Sequence, residues 1–441
     1  EYFGTEIMKK ASIRTFGCQM NQHDSEKMAG ILQSEGYALT EERDEADIIV
    51  FNTCSIRQKA EQKFLSELGR VKALKKKRPG LKVAVAGCIA QQMGETLLRR
   101  APHVDFVIGP QNIHVLGHML GEAAGGGAQP MTATEDNPRI AEEELPAVRK
   151  KRGRAWVSIM YGCDNFCTYC IVPYTRGRET SRPSQSIVRE IKALAAGGCK
   201  EVTLLGQNVN SFRSDTDFPG LLAKVDAVEG IERIRFVTSH PRDLSDALIE
   251  AMARLEKVCE HIHLPLQSGS TTILGLMNRG YSMEDYGAKV QKLRKMVPHV
   301  AITSDIIAGF PGETEEDHIE TVRALRDIGF DGIFAFKFSP RPGTRASLMD
   351  GQLGEDLKLR RLREILLLQD DITLARNKAL EGTVQEVLVE GPSEKDPDRL
   401  TGRTRTNKIV NFSFGPGIAE GRLVLVRISQ ARRHSLEGEA L

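Results

Sequence analysis

Between residues 156 and 338 the chain repeats one pattern six times: a short apolar run of strand type, followed by a stretch of helical period. The strands predicted are 156–160, 201–205, 233–238, 261–265, 300–306 and 332–338, with helical patterns such as 185–196 and 315–328 between them. Strands that alternate with helices in this way form a parallel sheet covered by those helices. Six units in tandem suit a curved sheet, a partial version of the eight-unit barrel, whose functional residues lie at the carboxyl ends of the strands.

The flanks follow other patterns. Toward the N-terminus, strand patterns at 11–16, 47–51, 81–86 and 104–108 alternate with a helix over 24–33 and a basic helix through Lys75, Lys76 and Lys77. This predicts a second parallel sheet with covering helices. The chain then loosens at Gly125, Gly126 and Gly127 and in the acidic run Glu142, Glu143, Glu144 before Pro146, which places a linker near 128–147. From about residue 376 short alternating runs appear at 384–389, 399–404, 408–412 and 422–428, separated by Gly and Pro. They predict a small all-β barrel, entered by a helix ending near Lys378. A chain of 441 residues can bury several such cores without staples. Its net charge of +2 announces no polyanionic partner, so any nucleic-acid contact must come from local patches. No apolar run approaches the ~20 residues of a membrane-spanning helix, and no secretory leader is visible, so no membrane partner is expected and the cytoplasm is the default compartment.

The eight cysteines are ordered by position. Cys163, Cys167 and Cys170 lie in one loop just past the first barrel strand, in Tyr161-Gly162-Cys163-Asp164-Asn165-Phe166-Cys167-Thr168-Tyr169-Cys170. Three thiolates at this spacing can ligate three irons of a cubane cluster and leave the fourth iron open, as a catalytic metal requires. The alternative, a structural zinc site, wants four ligands, and no fourth Cys or His lies nearby. Cys18, Cys54 and Cys88 each follow a predicted strand of the N-terminal sheet, about one strand–helix unit apart. Ligands collect at the carboxyl ends of parallel strands, so these three can converge on a second cluster. Buried free cysteine is the bland alternative. Cys199 and Cys259 fall at the opposite strand ends and read as structural.

The spacing Cys-x-x-x-Cys-x-x-Cys, with an aromatic residue before the last cysteine, resembles the radical SAM superfamily. Gly17-Cys18-Gln19-Met20-Asn21, Asn52-Thr53-Cys54 and Gly87-Cys88 are similar to the N-terminal motifs of its methylthiotransferases. The runs Ile171-Val172-Pro173-Tyr174-Thr175-Arg176-Gly177 and Gly206-Gln207-Asn208-Val209-Asn210-Ser211 resemble the MiaB type, with Phe212 where many members carry Tyr. The resemblance implies an α/β multidomain chain: an N-terminal parallel α/β domain at 11–128, a partial (β/α)6 radical SAM barrel at 148–375 and a C-terminal all-β TRAM barrel at 376–440. It implies two 4Fe-4S clusters and S-adenosyl-L-methionine (SAM), which accepts an electron and releases a 5′-deoxyadenosyl radical. Cys163, Cys167 and Cys170 would hold the radical-generating cluster, and Tyr169 would lie against the adenine. Cys18, Cys54 and Cys88 would hold an auxiliary cluster carrying sulfide or polysulfide. The implied reaction is methylthiolation at C2 of N6-isopentenyladenosine beside the anticodon of tRNA. The alternatives within the family are threonylcarbamoyl-adenosine in tRNA and an aspartate of a ribosomal protein. Flavodoxin or ferredoxin as electron donor, proteins that deliver clusters and sulfur, and a monomeric state are also expected.

Polar residues at barrel strand ends are the further cofactor candidates: Gln207, Asn208, Ser239, Gln267 and Asp305, with Arg279 as a partner for the SAM carboxylate. Each has a loop-capping reading beside it. His261 and His263 alternate on one strand and read as core or rim residues rather than metal ligands. Two basic runs suggest RNA: Arg149, Lys150, Lys151, Arg152 and Arg154 entering the barrel, and Arg399, Arg403, Arg405 and Lys408 in the C-terminal barrel. Arg403, Arg405 and Lys408 are the RNA-binding candidates. Rivals from other classes are a two-cluster electron carrier, which needs no open iron, and a zinc-dependent RNA-binding module without catalysis.

Overall fold

Residues 8–55, 58–124, 129–137, 139–142, 144–149, 151, 153–394, 396–415 and 417–441 are described in a computed structural model. Gly125, Gly126, Gly127, Glu143, Lys150 and Arg152, singled out above, lie outside them. The chain divides into two compact units. The first comprises Glu1–Lys150, Tyr161–Asp164 and Ile171–Thr180; the second comprises Lys151–Met160, Asn165–Cys170 and Ser181–Leu441.

The first unit is built on a six-stranded sheet of β1 (Lys10–Thr15), β2 (Ala38–Leu39), β3 (Ile48–Thr53), β4 (Lys82–Gly87), β5 (Phe106–Ile108) and β6 (Met131–Ala133), in the order β2-β1-β3-β4-β5-β6. Every pairing is parallel. β3 and β4 are buried almost throughout, as expected for strands covered on both faces. Ile49, Phe51, Val83 and Val85 face one apolar cluster, and Ile48, Val50, Ala84 and Ala86 face the other. The structure corrects the sequence reading at both sheet edges. β2 was not expected, and part of the stretch read as linker forms β6, whose three residues carry too short a pattern to register.

In the second unit the six expected strands are β7 (Arg154–Ser158), β10 (Glu201–Leu205), β11 (Arg233–Phe236), β12 (His261–His263), β13 (Ala301–Ala308) and β14 (Gly332–Lys337). The two-residue strands β8 (Met160–Tyr161) and β9 (Thr180–Ser181) lie in the connection after β7. The barrel strands pair in parallel as two three-stranded sheets, β11-β10-β7 and β12-β13-β14, rather than one. At the junction β11 keeps one bridge, Ile234 to Val258, before the three-residue β12 diverges. The covering helices begin where the sequence places caps. Thr314 and Asp317 form a reciprocal capping box at the start of Glu315–Ile328, and Ser282 and Asp285 do the same for Met283–Met296.

The helix Glu355–Lys378 leads into a closed barrel of β15 (Val384–Pro392), β16 (Arg399–Thr404), β17 (Ile409–Ser413), β18 (Leu423–Ala431) and β19 (Leu436–Ala440), ordered β15-β16-β17-β19-β18. β19 was not foreseen because its sequence, Leu-Glu-Gly-Glu-Ala, has little apolar character, yet buried Leu436 and its parallel pairing with β17 close the barrel. This small barrel is joined to the six-stranded one through buried charge. Arg233 is fully buried; its guanidinium donates to the Arg403 carbonyl at 2.8 Å, the Glu386 carbonyl at 2.8 Å and the Glu386 carboxylate at 2.8 Å. Arg235 donates to Glu201 at 2.8 Å and to the carbonyls of Thr404 and Arg405 at 2.6 and 2.8 Å.

Removing the buried Arg233 guanidinium leaves the Glu386 and Arg403 carbonyls without their donor, while the Glu386 carboxylate, 39% exposed, can return to water. Arg233→Ala is therefore expected to lower the stability of this unit by about 2 kcal/mol. Urea denaturation of wild type and variant checks this, and a loss below about 1 kcal/mol would assign Arg233 the modest contribution of a surface pair.

Candidate active site

The register of the N-terminal sheet fixes where its cysteines fall. Thr15 pairs with Asn52 and Thr53 with Gly87, so β1, β3 and β4 end side by side. Cys18 precedes the helix Gln19–Ser34, Cys54 follows β3 directly, and Cys88 opens the helix Cys88–Met93. The glycines before two of them permit the close approach. A Cβ on Gly17 would stand 2.7 Å from the Cys54 Cβ, and one on Gly87, at φ +91°, would stand 2.4 Å from the Thr53 carbonyl. A buried amide pair braces the turns: Asn21 Nδ2 donates to Asn52 Oδ1 at 2.9 Å and to the Thr53 carbonyl at 3.0 Å, while Asn52 Nδ2 returns a bond to the Asn21 carbonyl at 2.7 Å.

The electrostatics of this corner suit thiolates. A hydrogen bond from Cys54 outweighs burial and, with Arg176 nearby, brings the Cys18 thiol down to about 6. Burial raises Cys88, and Arg176 opposes the shift. Among the described residues, no three His, Cys, Asp or Glu side chains close around a single metal ion. A cubane cluster does not require that, because each thiolate binds a different iron. Three cysteines at adjacent strand ends, one of them readily ionised, therefore fit a cluster better than a lone ion.

The second cysteine set follows β7 in sequence. Cys163 belongs to the first unit, and its N–H donates to the Gly177 carbonyl at 3.2 Å. Cys167 and Cys170 belong to the second, where the Cys170 N–H donates to the Cys167 carbonyl at 2.9 Å. Their loop is braced by residues 276–278: Thr168 donates to the carbonyls of Leu276 and Met277 at 3.0 Å, and Asn278 Nδ2 donates to the carbonyls of Asn165 and Phe166 at 3.2 Å. Phe166, Thr238, Gln267 and Asn278 all adopt positive φ at this end of the barrel. Such conformations are costly for residues with a side chain and concentrate at functional sites.

The strand-end candidates separate into two groups. Buried Gln207 Oε1, Ser239 Oγ and His240 Nε2 have no hydrogen-bond partner among the described residues, so each is open to a ligand or a water. Burial and the charges of Arg279 and Arg242 hold His240 down at about 2, so it is neutral; Nδ1 accepts the Arg242 N–H at 3.2 Å, which leaves the proton on Nε2. These groups at the ends of β10 and β11 fit a polar cofactor such as SAM. Asn208, by contrast, is a loop brace: Nδ2 donates to Asp243 at 2.7 Å and Oδ1 accepts the His240 N–H at 3.0 Å. Arg279 donates to Cys167 Sγ at 3.4 Å, to Tyr281 Oη at 3.0 Å and to the Pro265 carbonyl at 2.8 Å, so it lies beside a cysteine of the loop. Tyr169 is half-buried and stands edge-on to Phe310, with ring centroids 6.5 Å apart. Gln267 bridges to β13 through its backbone, accepting from Ile307 and donating to Asp305 at 2.9 Å. Asp305 Oδ2 lies 3.4 Å from His263 Nε2, which gives that histidine a carboxylate partner in place of a metal. Register puts Asp305 and Ile307 on one face with Phe334 and Phe336, two exposed aromatic rings on the last barrel strand. Sequence reading missed Glu313, which accepts the Gly309 N–H at 3.0 Å and Arg361 at 2.7 Å and so shapes the loop after β13.

Arg403, Arg405 and Lys408, expected to meet RNA, are turned onto the protein instead. Arg405 pairs with Glu260 at 2.7 Å, Lys408 with Asp331 at 2.8 Å and Arg403 with Glu390 at 3.1 Å. An acid-free run in sequence is thus neutralised in space by carboxylates from elsewhere in the same unit.

Comparison with known proteins agrees with this geometry. Residues 10–109 match the family described as uncharacterized protein family UPF0004, 157–325 the radical SAM superfamily and 378–441 the TRAM domain. A tRNA-2-methylthio-N(6)-dimethylallyladenosine synthase from Thermodesulfovibrio yellowstonii is 55% identical over 97% of this chain and 98% of its own. Proteins of the same name from Syntrophus aciditrophicus and Moorella thermoacetica are 50% and 48% identical, over 98% of this chain and 95% and 98% of theirs. The chain belongs to the MiaB family of radical SAM methylthiotransferases. Among solved structures, the radical SAM methyltransferase TsrM of Kitasatospora setae superposes with a TM-score of 0.57 at 15% identity, over 77% of this chain and 75% of that one. The cobalamin-dependent radical SAM enzyme OxsB covers 82% of this chain and 56% of its own at a TM-score of 0.51 and 10% identity. At such identities the likeness concerns the fold alone. Membership of the radical SAM superfamily brings with it a 4Fe-4S cluster and SAM.

In the metal-free protein, Cys18 should be alkylated by iodoacetamide with a midpoint near pH 6, since the thiolate fraction rises as pH passes the lowered pKa. Cys54→Ala should move that midpoint up toward the ordinary ~8.5. Mass spectrometry of the modified peptide against pH reads both, and an unshifted midpoint would remove Cys54 as the cause.

Proposed function

We infer that this chain is a tRNA methylthiotransferase that acts at C2 of N6-isopentenyladenosine beside the anticodon, through sulfur insertion and methylation. The observation that carries the reading is the presence, in one chain, of three cysteines at adjacent strand ends and a separate Cys-x-x-x-Cys-x-x-Cys loop. Identity of 55% to a relative named for this product supports it over the other branches of the family. Cys163, Cys167 and Cys170 hold the cluster that supplies the electron for SAM cleavage, and Cys18, Cys54 and Cys88 hold an auxiliary cluster that carries the sulfur to be inserted. Tyr169, Gln207, Ser239, His240 and Arg279 surround the cofactor. Phe334 and Phe336 offer rings for the substrate base to stack on, and Asp305 with His263 holds a polar edge beneath it. The domain bounds of 11–128, 148–375 and 376–440 assign these roles to the first two domains and RNA binding to the third. A tRNA substrate makes the cytoplasm its place of work, with flavodoxin or ferredoxin as reductant.

With Arg403, Arg405 and Lys408 paired internally, the tRNA contact passes to exposed arginines of β18 and its approach, Arg427 and Arg422. Each phosphate contact contributes a salt-dependent term, so Arg427→Glu should weaken binding of full tRNA and reduce the salt slope by about 1. Filter binding at several salt concentrations checks this; an unchanged slope would move the RNA contact elsewhere.

The division of labour is tested by two variants. Cys54→Ala should retain reductant-driven formation of 5′-deoxyadenosine from SAM yet yield no 2-methylthio product in tRNA. Cys167→Ser should lose both. Liquid chromatography with mass spectrometry of nucleosides and 5′-deoxyadenosine reads the two outcomes together, and equal loss of SAM cleavage in both variants would contradict separate roles.

A further inference from the structure

Six residues past the cysteine loop, in Ile171-Val172-Pro173-Tyr174-Thr175-Arg176-Gly177, stands one charged side chain that the reaction scheme leaves without a task. Arg176 ends the short helix Val172–Arg176, which packs against the helix opened by Cys88. Its side chain is 6% exposed and its Nη2 lies 2.8 Å from Asp24 Oδ2, itself 4% exposed. The Arg176 carbonyl accepts a bond from Gln111 Nε2 at 2.8 Å, which fixes the backbone at this point. Burial works against the guanidinium charge, but Asp24, Cys88 and Cys18 together hold it protonated more firmly than usual. A buried arginine with one carboxylate and two thiols around it is a built electrostatic site. The next residue faces the other way in function: the Gly177 carbonyl accepts the N–H of Cys163, and a Cβ on Gly162 would stand 2.0 Å from the Arg178 carbonyl. The Arg176-Gly177 dipeptide thus reaches two cysteines of the first set and one of the second within a single compact unit.

We propose that Arg176 is a positioning residue for the auxiliary site: its charge, balanced by Asp24, sets the reduction potential of the group held by Cys18, Cys54 and Cys88, and its backbone ties that site to the radical-generating loop. The inference rests on the assignment of a cluster to those three cysteines. Three thiolates add negative charge to any iron–sulfur group, so a fixed cation beside them favours the reduced state and a fixed anion disfavours it. Removing the cation and removing the anion should therefore shift the potential in opposite directions.

The test uses the full-length chain with Cys163, Cys167 and Cys170 changed to Ala, so that only the auxiliary cluster remains after reconstitution with iron and sulfide. Redox titration followed by electron paramagnetic resonance gives its midpoint potential. Arg176→Gln should move the potential to more negative values and Asp24→Asn to more positive ones, with Arg176→Lys close to the parent. Where Arg176→Gln fails to retain iron, Asp24→Asn alone decides, because it leaves the arginine in place. A positive shift in that variant supports the proposal, and no shift or a negative one overturns it. A parent chain that binds no iron would instead refute the cluster assignment, and this proposal with it.

Discussion

Parallel pairing is the constraint on which the rest of the molecule depends. Parallel strands point the same way, so residues that follow successive strands gather along one edge whatever their separation in sequence. In the first unit this gathers Cys18, Cys54 and Cys88, because β1, β3 and β4 are neighbours in register. In the second unit it places Cys167, Cys170, Gln207, Ser239 and Gln267 after the ends of barrel strands. Both sites are consequences of strand direction, and the side chains then refine them: amides brace the first, and positive-φ turns shape the second.

What was legible in the sequence follows from the same fact. Strand and helix periodicity is local, so the six barrel units, the N-terminal sheet and the terminal β-barrel could be read directly, and the cysteines could be placed relative to strand ends. Features that depend on long-range partners could not. The basic run of β16 looks like an RNA-binding surface until Glu260, Asp331 and Glu390 come in from other parts of the unit. Asn208 resembles a cofactor ligand until Asp243 and the His240 N–H take up its amide. Arg176 shows nothing in sequence beyond its place after the cysteine loop, because its meaning comes from Asp24, 152 positions away. Short elements escaped for a simpler reason: two or three residues, as in β2 and β6, carry too little pattern to exceed the background.

Buried charge serves two ends in this chain. In the second unit Arg233 and Arg235 satisfy backbone carbonyls of the small barrel, which fixes its attachment by direction as well as by area. Desolvated pairs of this kind add little net stability but tolerate few alternative arrangements, so they specify one docking. In the first unit Arg176 and Asp24 leave almost no net charge of their own, yet they surround thiols with a defined field. The same physics of desolvated charge holds one domain in place and tunes the environment of a reactive site.

The central claim is that the two cysteine sets hold two separate clusters. Iron analysis with Mössbauer spectroscopy on three reconstituted full-length chains tests it most directly: wild type, the variant with Cys163, Cys167 and Cys170 changed to Ala, and the variant with Cys18, Cys54 and Cys88 changed to Ala. Wild type should hold about eight irons and each variant about four, all with the signature of a 4Fe-4S cluster. About four irons in wild type, with loss of all iron in either variant, would mean a single cluster and would contradict the account.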